Sequence, residues 1–132
     1  MEHCYDYNTY IKECVRVLKP NGILFFTVPF LWPLHEKPYD YYRYTPFALE
    51  KMFKEQNQTN LEIFSLGGWN ASLATMLGLW TNRYLSKKKA KFLKPIIKPI
   101  IRYLIKKDKI NNNFSDNIMY TGIYGVLKKD GN

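Results

Sequence analysis

A proline-rich and aromatic stretch, residues 29–45, most constrains what this 132-residue chain can fold into. It reads PFLWPLHEKPYDYYRYT and carries a histidine, an aspartate, a glutamate and an arginine. Proline fixes φ and removes a backbone donor, so neither a helix nor a central strand runs through this stretch. Long loops between regular elements are usually functional or disordered, and a high aromatic content disfavours disorder. The stretch is therefore predicted to be an ordered, functional loop.

Regular elements are predicted on both sides of this loop. Residues 8–18 place apolar side chains at helical spacing, and a Lys-Pro-Asn-Gly turn ends that helix. Residues 23–28, ILFFTV, are apolar without alternation, which is typical of a parallel strand covered on both faces. Thr45 can cap a helix that has Pro46 at its first position. Ligands of open α/β sheets bind beyond the carboxyl ends of strands, where this loop begins.

The remainder of the chain is predicted to contain two strands and a helical segment between them. The strands are residues 61–66 and 119–127, and residues 69–110 form the helical segment. Within it, residues 87–109 combine an isoleucine-rich stripe, a lysine stripe and two prolines, which predict a kinked or broken helix. The Gly67-Gly68 pair is not expected to form a nucleotide loop, because the strand-turn-helix context is not evident from the sequence.

The net charge of +9 is concentrated in one segment. Eleven lysines and arginines and one aspartate lie between Arg83 and Lys109, so the rest of the chain is close to neutral. Three interpretations of residues 87–109 are open: a helix with solvated lysines, a helix lying in the plane of an anionic membrane surface, or a nucleic-acid-binding helix. The third is least favoured, because lysine dominates and no base-stacking aromatics are interleaved with it.

The two cysteines, Cys4 and Cys14, have a spacing that matches no zinc or redox motif. The sequence also lacks a secretory signal and any run approaching the roughly 18 apolar residues of a spanning helix. It therefore predicts a cytoplasmic protein with reduced cysteines and no metal site.

Several of these pieces resemble the C-terminal half of class I S-adenosylmethionine-dependent methyltransferases. Glu2-His3 resembles the pair that follows the fourth strand in many small members of the family. Residues 13–22, ECVRVLKPNG, resemble the R-x-L-K-P-G-G end of the helix before strand five. The loop resembles a subgroup associated with glycan and cell-envelope biosynthesis through Pro29-Phe30, Pro33, His35, Pro38, Asp40-Tyr41 and Arg43-Tyr44-Thr45.

The resemblance implies an α/β fold in which residues 1–132 form a single partial methyltransferase domain. Residues 23–28 would be strand five of a Rossmann-like sheet, and the two later strands would be the antiparallel pair six and seven. Residues 69–110 would be a basic helical insertion. The family's Gly-rich cofactor loop and its acidic ribose-binding residue are not found in the sequence, so the chain is expected to be a truncated, acceptor-side half. An unpaired edge of strand five would make the chain alone prone to association.

Candidate site residues follow from the resemblance and from side-chain chemistry. His35 is a candidate general base, because the pKa of imidazole lies near neutrality, and Asp40 could orient it. Tyr41 and Tyr44 could stack on a sugar, and Arg43 could clamp an anionic group of the acceptor. Structural alternatives are open for all of them. His35 and Asp40 could cap turns, the tyrosines could form the loop's own core, and Arg43 could tie down the loop by an ion pair with Glu36 or Asp40.

The implied function is methyl transfer from S-adenosylmethionine to a small-molecule or glycan-type acceptor. Glu2 and His3 would lie near the methionine end of the cofactor or near the acceptor. The competing hypothesis is a non-catalytic, truncated domain that binds an anionic membrane surface, at its inner face, or a partner protein through residues 87–109.

Overall fold

The computed structural model describes residues 1–131, which form two compact units. Unit 1 comprises Met1–Ser65 together with the residues from Gly122 onward, and unit 2 comprises Leu66–Thr121. Four α-helices, three strands and one π-helical turn are formed by the described residues, which confirms the α/β class. The predicted helical insertion, residues 69–110, lies within unit 2.

Helix α1, Tyr7–Val17, is capped at both ends by side chains. Asp6 accepts a hydrogen bond from the backbone amide three residues further on, at 3.0 Å. At the other end, Lys129 Nζ donates to the carbonyl oxygens of Val15 and Leu18, both at 2.8 Å. These bonds satisfy terminal backbone groups that a helix leaves unpaired. The helix predicted here from its apolar spacing is confirmed.

The sheet is built from three strands, in the order β1-β3-β2. Their bounds are Ile23–Pro29 for β1, Leu61–Leu66 for β2 and Gly122–Lys128 for β3. Strand β3 runs antiparallel to β1, with Ile23 opposite Lys128. It also runs antiparallel to β2, because Lys128 N–H donates to Asn60 and Thr121 N–H donates to Leu66. The predicted third strand thus begins three residues later than expected.

The prediction that β1 is covered on both faces is wrong. Val28 is buried, but Ile23 and Phe25, which point to the opposite face, are each more than 60% exposed. On that outer face Tyr124 lies between two phenylalanines, with ring centroids 5.9 Å from Phe25 and 4.9 Å from Phe64. An apolar strand is buried on both faces only when other elements of the protein cover both, and residues 1–131 cover one face of β1. The outer edge of β1 also has no strand partner among these residues.

The inner face of the sheet forms the core of unit 1 together with helix α2, Pro46–Glu55. Phe53 of this helix stacks on Phe26 of β1, with ring centroids 5.2 Å apart. Ile123 and Leu127 are fully buried on the same face. As predicted, α2 has Pro46 at its first position, and the Thr45 hydroxyl accepts from the Ala48 amide at 3.2 Å.

In unit 2 two helices pack together, and one aspartate caps the start of the first of them. Helix α3, Trp69–Leu79, continues into a π-helical turn, Trp80–Tyr84, and is followed by α4, Lys87–Lys106. The Asp108 carboxylate accepts from the Gly68 and Ala71 amides at 2.8 and 2.9 Å. Gly67-Gly68 therefore does lie between a strand and a helix, contrary to prediction. The amides at this helix N-terminus already have an anionic partner in Asp108.

Helix α4 runs without interruption across Pro95 and Pro99, so the predicted break is not observed. Both prolines are exposed, and the carbonyl groups that they leave without a donor can be hydrated. The predicted apolar stripe is divided into two. The buried or half-buried side chains are Ala90, Leu93, Ile97, Ile101 and Leu104, and the exposed ones include Phe92, Ile96, Ile100 and Tyr103.

The contrast between the two sheet faces predicts unequal responses to the same small substitution. Ile123→Val removes one methylene from a fully buried side chain and should lower the free energy of unfolding by about 0.5–1.5 kcal/mol. Ile23→Val makes the same change at a side chain that is 63% exposed, and its effect should stay within about 0.5 kcal/mol. Urea denaturation followed by circular dichroism measures both, and equal losses would contradict the assignment of the faces.

Candidate functional site

The loop 29–45 is held together by a bidentate ion pair between Asp40 and Arg43. Arg43 Nη1 donates to Asp40 Oδ1 at 2.6 Å, and Nη2 donates to Oδ2 at 2.8 Å. The same guanidinium donates to the carbonyl oxygen of Tyr42 at 2.8 Å and approaches those of Trp32 and Pro33 at 3.4 Å. Two-pronged pairs of this type fix geometry as well as adding energy. Of the two partners predicted for Arg43, the structure shows Asp40.

His35 lies against the same carboxylate. Its backbone N–H donates to Asp40 Oδ2 at 3.1 Å, and its ring Nδ1 lies 3.3 Å from that oxygen. Nδ1 also lies 3.2 Å from the carbonyl oxygen of Pro33. Both neighbours of Nδ1 are acceptors, so they favour the tautomer that carries the proton on Nδ1 and leaves Nε2 with a free lone pair. An imidazole oriented in this way can accept a proton or bind a cation through Nε2.

The electrostatics of the site are set by the arginine. Hydrogen bonds from Arg43 hold the pKa of the Asp40 carboxyl well below its usual range, and the bond from the His35 amide acts in the same direction. The pKa of Arg43 is raised in turn by its hydrogen bonds to Asp40. Asp40 therefore stays ionised at neutral pH although its side chain is only 3% exposed.

Residues near the amino terminus dock on this loop. The Tyr41 amide donates to the carbonyl oxygen of Glu2 at 3.0 Å, and His3 Nδ1 lies 3.0 Å from the carbonyl oxygen of Tyr39. The His3 ring meets the His35 ring edge-on, with centroids 4.7 Å apart. Glu2, predicted near a cofactor, thus lies in the same cluster as the candidate base.

The tyrosines of the loop form a chain of ring contacts rather than a free stacking surface. Tyr42 is in contact with Tyr41 and Tyr44, and its hydroxyl donates to the carbonyl oxygen of Tyr5 at 2.8 Å. Tyr44 is buried, at 4% exposure, and this burial raises the pKa of its hydroxyl. Tyr39 and Tyr41 keep exposed ring surface. Of the two tyrosines predicted to bind an acceptor, Tyr41 is the accessible one.

A cleft of about 300 Å³ opens beside the loop in unit 1. Tyr42, Arg43 and Tyr44 of the loop line it together with Tyr7 of α1 and with Ala48, Lys51, Met52 and Glu55 of α2. His35 and Asp40 are not among its lining residues. The predicted acceptor-binding residues are therefore divided between this cleft and the surface around His35.

Comparison of the chain with protein-family models, with curated proteins and with solved structures found no match. The resemblance to methyltransferases therefore depends on the quoted residues alone.

A second, larger cavity of about 540 Å³ lies in unit 2. Four lysines line it, Lys87, Lys91, Lys94 and Lys98, with Asn82, Leu85, Ala90 and Pro95. The concentration of positive charge makes it suited to an anionic group. None of the helices formed by residues 1–131 is long and apolar enough to cross a membrane.

Sequence reasoning found the loop and its polar residues but missed two features of the site. It did not predict that His3 contacts His35, because no periodicity links residues 32 positions apart along irregular backbone. It also did not predict that the loop fixes Glu2 by a backbone bond. The available signal was that the chain contains only two histidines, His3 and His35.

The lowered pKa of Asp40 predicts a pH-dependent contribution to stability. An ionised group whose pKa falls on folding stabilises the protein above its unfolded-state pKa, and this stabilisation is lost as the pH falls through the lower folded-state pKa. Asp40→Asn should therefore lower the urea midpoint at neutral pH, and the difference from wild type should shrink as the pH falls below the ordinary carboxyl value of 3.8. Asp130→Asn, at an exposed position, is the control. A difference that stays constant with pH would contradict the role of Asp40.

Proposed function

We propose that this chain supplies the acceptor side of an S-adenosylmethionine-dependent methyltransferase that acts on a small-molecule or glycan-type acceptor. The observation that carries the proposal is the orientation of His35, whose Nδ1 faces Asp40 and whose Nε2 is left with a free lone pair. Methyl transfer to a hydroxyl group needs positioning and a general base, and little other chemistry.

In this proposal His35 Nε2 would take the proton of the acceptor hydroxyl when the methyl group is transferred to its oxygen. The proton creates an imidazolium, which the Asp40 carboxylate stabilises across the 3.3 Å contact. Arg43 keeps that carboxylate ionised and fixed in direction. Tyr41, with its exposed ring, is proposed to stack on the acceptor, and Arg43 is proposed to attract an anionic group from the side of the cleft.

The fold is compatible with the proposal. A loop that leaves the carboxyl end of β1 carries the site, which is the expected position in α/β sheets. Strand β3 lies antiparallel beside β1, and β2 follows it, as an antiparallel pair six and seven next to strand five would require.

Cofactor binding is proposed to be shared with residues outside the described chain, since the Gly-rich loop is not among residues 1–131. S-adenosylmethionine supplies the reactive methyl group when it is bound. Glu2 is proposed to face the ammonium of its methionine end. This placement follows from the resemblance of Glu2-His3 to the pair that follows the fourth strand in the family.

The base role predicts a large loss of activity on a small change. His35→Gln should lower methyl transfer about 10²- to 10⁴-fold, because glutamine cannot take a proton at neutral pH. The assay follows radiolabelled methyl from S-adenosylmethionine into a glycan- and lipid-containing cell extract. It is run with the 132-residue chain and with a longer chain that includes the reading frame upstream of Met1.

Leu34→Ala, at the exposed neighbouring position, is the control and should keep full activity. The remaining activity of His35→Gln should also lose the acid limb of its pH profile, which a purely structural role would leave in place. If neither form of the chain binds S-adenosylmethionine in a calorimetric titration, the enzymatic proposal fails.

A second function is proposed for unit 2, as a surface that binds anionic membranes. Phe92, Ile96, Ile100 and Tyr103 follow one another at helical spacing and are all exposed. Lys87, Lys91, Lys94 and Lys98 lie on a different side of α4 and line the 540 Å³ cavity. An exposed apolar face and a basic face on one helix are the pattern of a helix that lies in the plane of a membrane surface.

The exposed side of α3 extends the same pattern. Its exposed apolar side chains recur at helical spacing into the π-helical turn, namely Trp69, Leu73, Met76, Trp80 and Tyr84. Tryptophan and tyrosine are enriched where a protein meets the membrane–water interface. A lipid-linked acceptor would connect this surface with methyl transfer.

Charge reversal predicts loss of membrane binding. Lys91, Lys94 and Lys98 changed together to Glu should abolish co-sedimentation with vesicles that contain anionic lipid, because the cavity side chains then repel the head groups. The control variant changes Lys12, Lys51 and Lys54 to Glu, which alters the net charge equally at exposed positions of unit 1. Equal binding by both variants would contradict the assignment to α4.

A further inference from the structure

Glu2, His3 and His35 together present a set of metal-binding atoms, and neither proposed function calls for a metal ion. One imidazole nitrogen from each histidine and one carboxylate oxygen of Glu2 all lie within 4.8 Å of one another. Within this group, His3 Nε2 and Glu2 Oε1 lie 3.6 Å apart. Tetrahedral coordination at about 2.1 Å requires ligand atoms about 3.4 Å apart, so an ion would shorten the distance between any two of them by at most about 1.4 Å.

The groups that hold the two imidazole rings of this cluster are of the kind found at known metal sites. A histidine that binds a metal through one nitrogen usually donates its other N–H to a carbonyl or a carboxylate. His3 Nδ1 lies 3.0 Å from the carbonyl oxygen of Tyr39, and His35 Nδ1 lies 3.2 Å from that of Pro33 and 3.3 Å from Asp40 Oδ2. Both rings are thereby fixed by acceptors at Nδ1, and Nε2 is the nitrogen available to a cation.

The three candidate ligands are held in place by hydrogen bonds and remain accessible to solvent. The Tyr41 amide anchors the Glu2 backbone, and the Asp40–Arg43 pair anchors the acceptor of His35. All three candidate ligands are half-buried, so an ion can enter from solvent and keep water in an open coordination position. Two neutral imidazoles and one carboxylate would leave one positive charge on a bound divalent ion, with Asp40 close by.

We infer that Glu2, His3 and His35 form a binding site for a divalent transition-metal ion, with Zn²⁺ as the best match. Imidazole nitrogen suits zinc and its neighbours in the first transition series. Mg²⁺ and Ca²⁺ require oxygen ligands in larger number, and this cluster offers one carboxylate. This site differs from the sequence-based prediction of no metal site, because its ligands come from two distant segments joined only by the fold.

The metal site does not depend on methyl transfer. A cation and an acceptor proton would compete for the same nitrogen of His35, so zinc saturation should suppress the proposed base. Binding of zinc to the chain is measured without S-adenosylmethionine and without an acceptor. The metal site and the proposed methyl transfer can therefore each be disproved without the other.

The test is a calorimetric titration of the full chain with Zn²⁺ alone. Cys4→Ser and Cys14→Ser are introduced first, so that the two thiols cannot bind the ion. This background should bind one Zn²⁺ per chain and should not bind Mg²⁺ or Ca²⁺. Affinity should fall as the pH is lowered, because the imidazoles must lose their protons to bind.

Ligand substitutions locate the site. His3→Gln, His35→Gln and Glu2→Gln should each weaken Zn²⁺ binding by at least about tenfold. Asp40→Asn should weaken it about 10- to 100-fold, because the carboxylate that orients the His35 ring is lost. Glu13→Gln, an exposed carboxylate on α1, should leave binding unchanged.

A second readout avoids variants that fail to fold. The imidazole proton resonances of the two histidines in the unsubstituted chain should both shift with one equivalent of Zn²⁺. Resonances that do not move, an absence of binding, or binding that persists unchanged in the His3 and His35 variants would each overturn the assignment.

Discussion

The bidentate pair between Asp40 and Arg43 is the interaction on which the candidate site depends. It joins two residues of the loop to each other and, through the guanidinium, to the carbonyl oxygen of Tyr42. The same carboxylate receives the His35 amide and faces its ring. Because ionised partners make short and directional hydrogen bonds, one pair fixes both the path of the loop and the direction of the imidazole. A stretch with three prolines has few backbone bonds of its own, so side chains supply this order.

Local signals allowed much of unit 1 to be predicted. The Thr45-Pro46 start of α2 follows from capping chemistry and the fixed φ of proline, and β2 was placed at its observed bounds. The burial of β1 was predicted wrongly, because an apolar run reports what a strand could bury and not which faces other elements cover. The contact between His3 and His35, and the capping of α3 by Asp108, join residues far apart in sequence. Spacing rules do not reach such pairs.

Unit 2 shows how one helix can present three different faces. The buried side chains of α4 pack against α3, four of its lysines line a cavity, and a strip of apolar side chains from Phe92 to Tyr103 remains exposed. A single hydrophobic stripe was expected, and the structure divides it because the packed neighbour covers only part of its width. Large exposed apolar patches mark interaction surfaces more often than scattered apolar residues do. The second proposed function follows from this division.

The docking of Glu2 and His3 on the loop has a practical consequence for anyone who makes this protein. Any segment fused to Met1 would begin next to the two imidazole rings, since the Tyr41 amide holds the backbone of Glu2 there. A polyhistidine tag fused at that end would bring extra imidazoles to the cluster, where they could bind the ion in place of His3 and His35. A tag at the carboxyl terminus adds no imidazoles at Met1, so it is the better choice for purifying this protein.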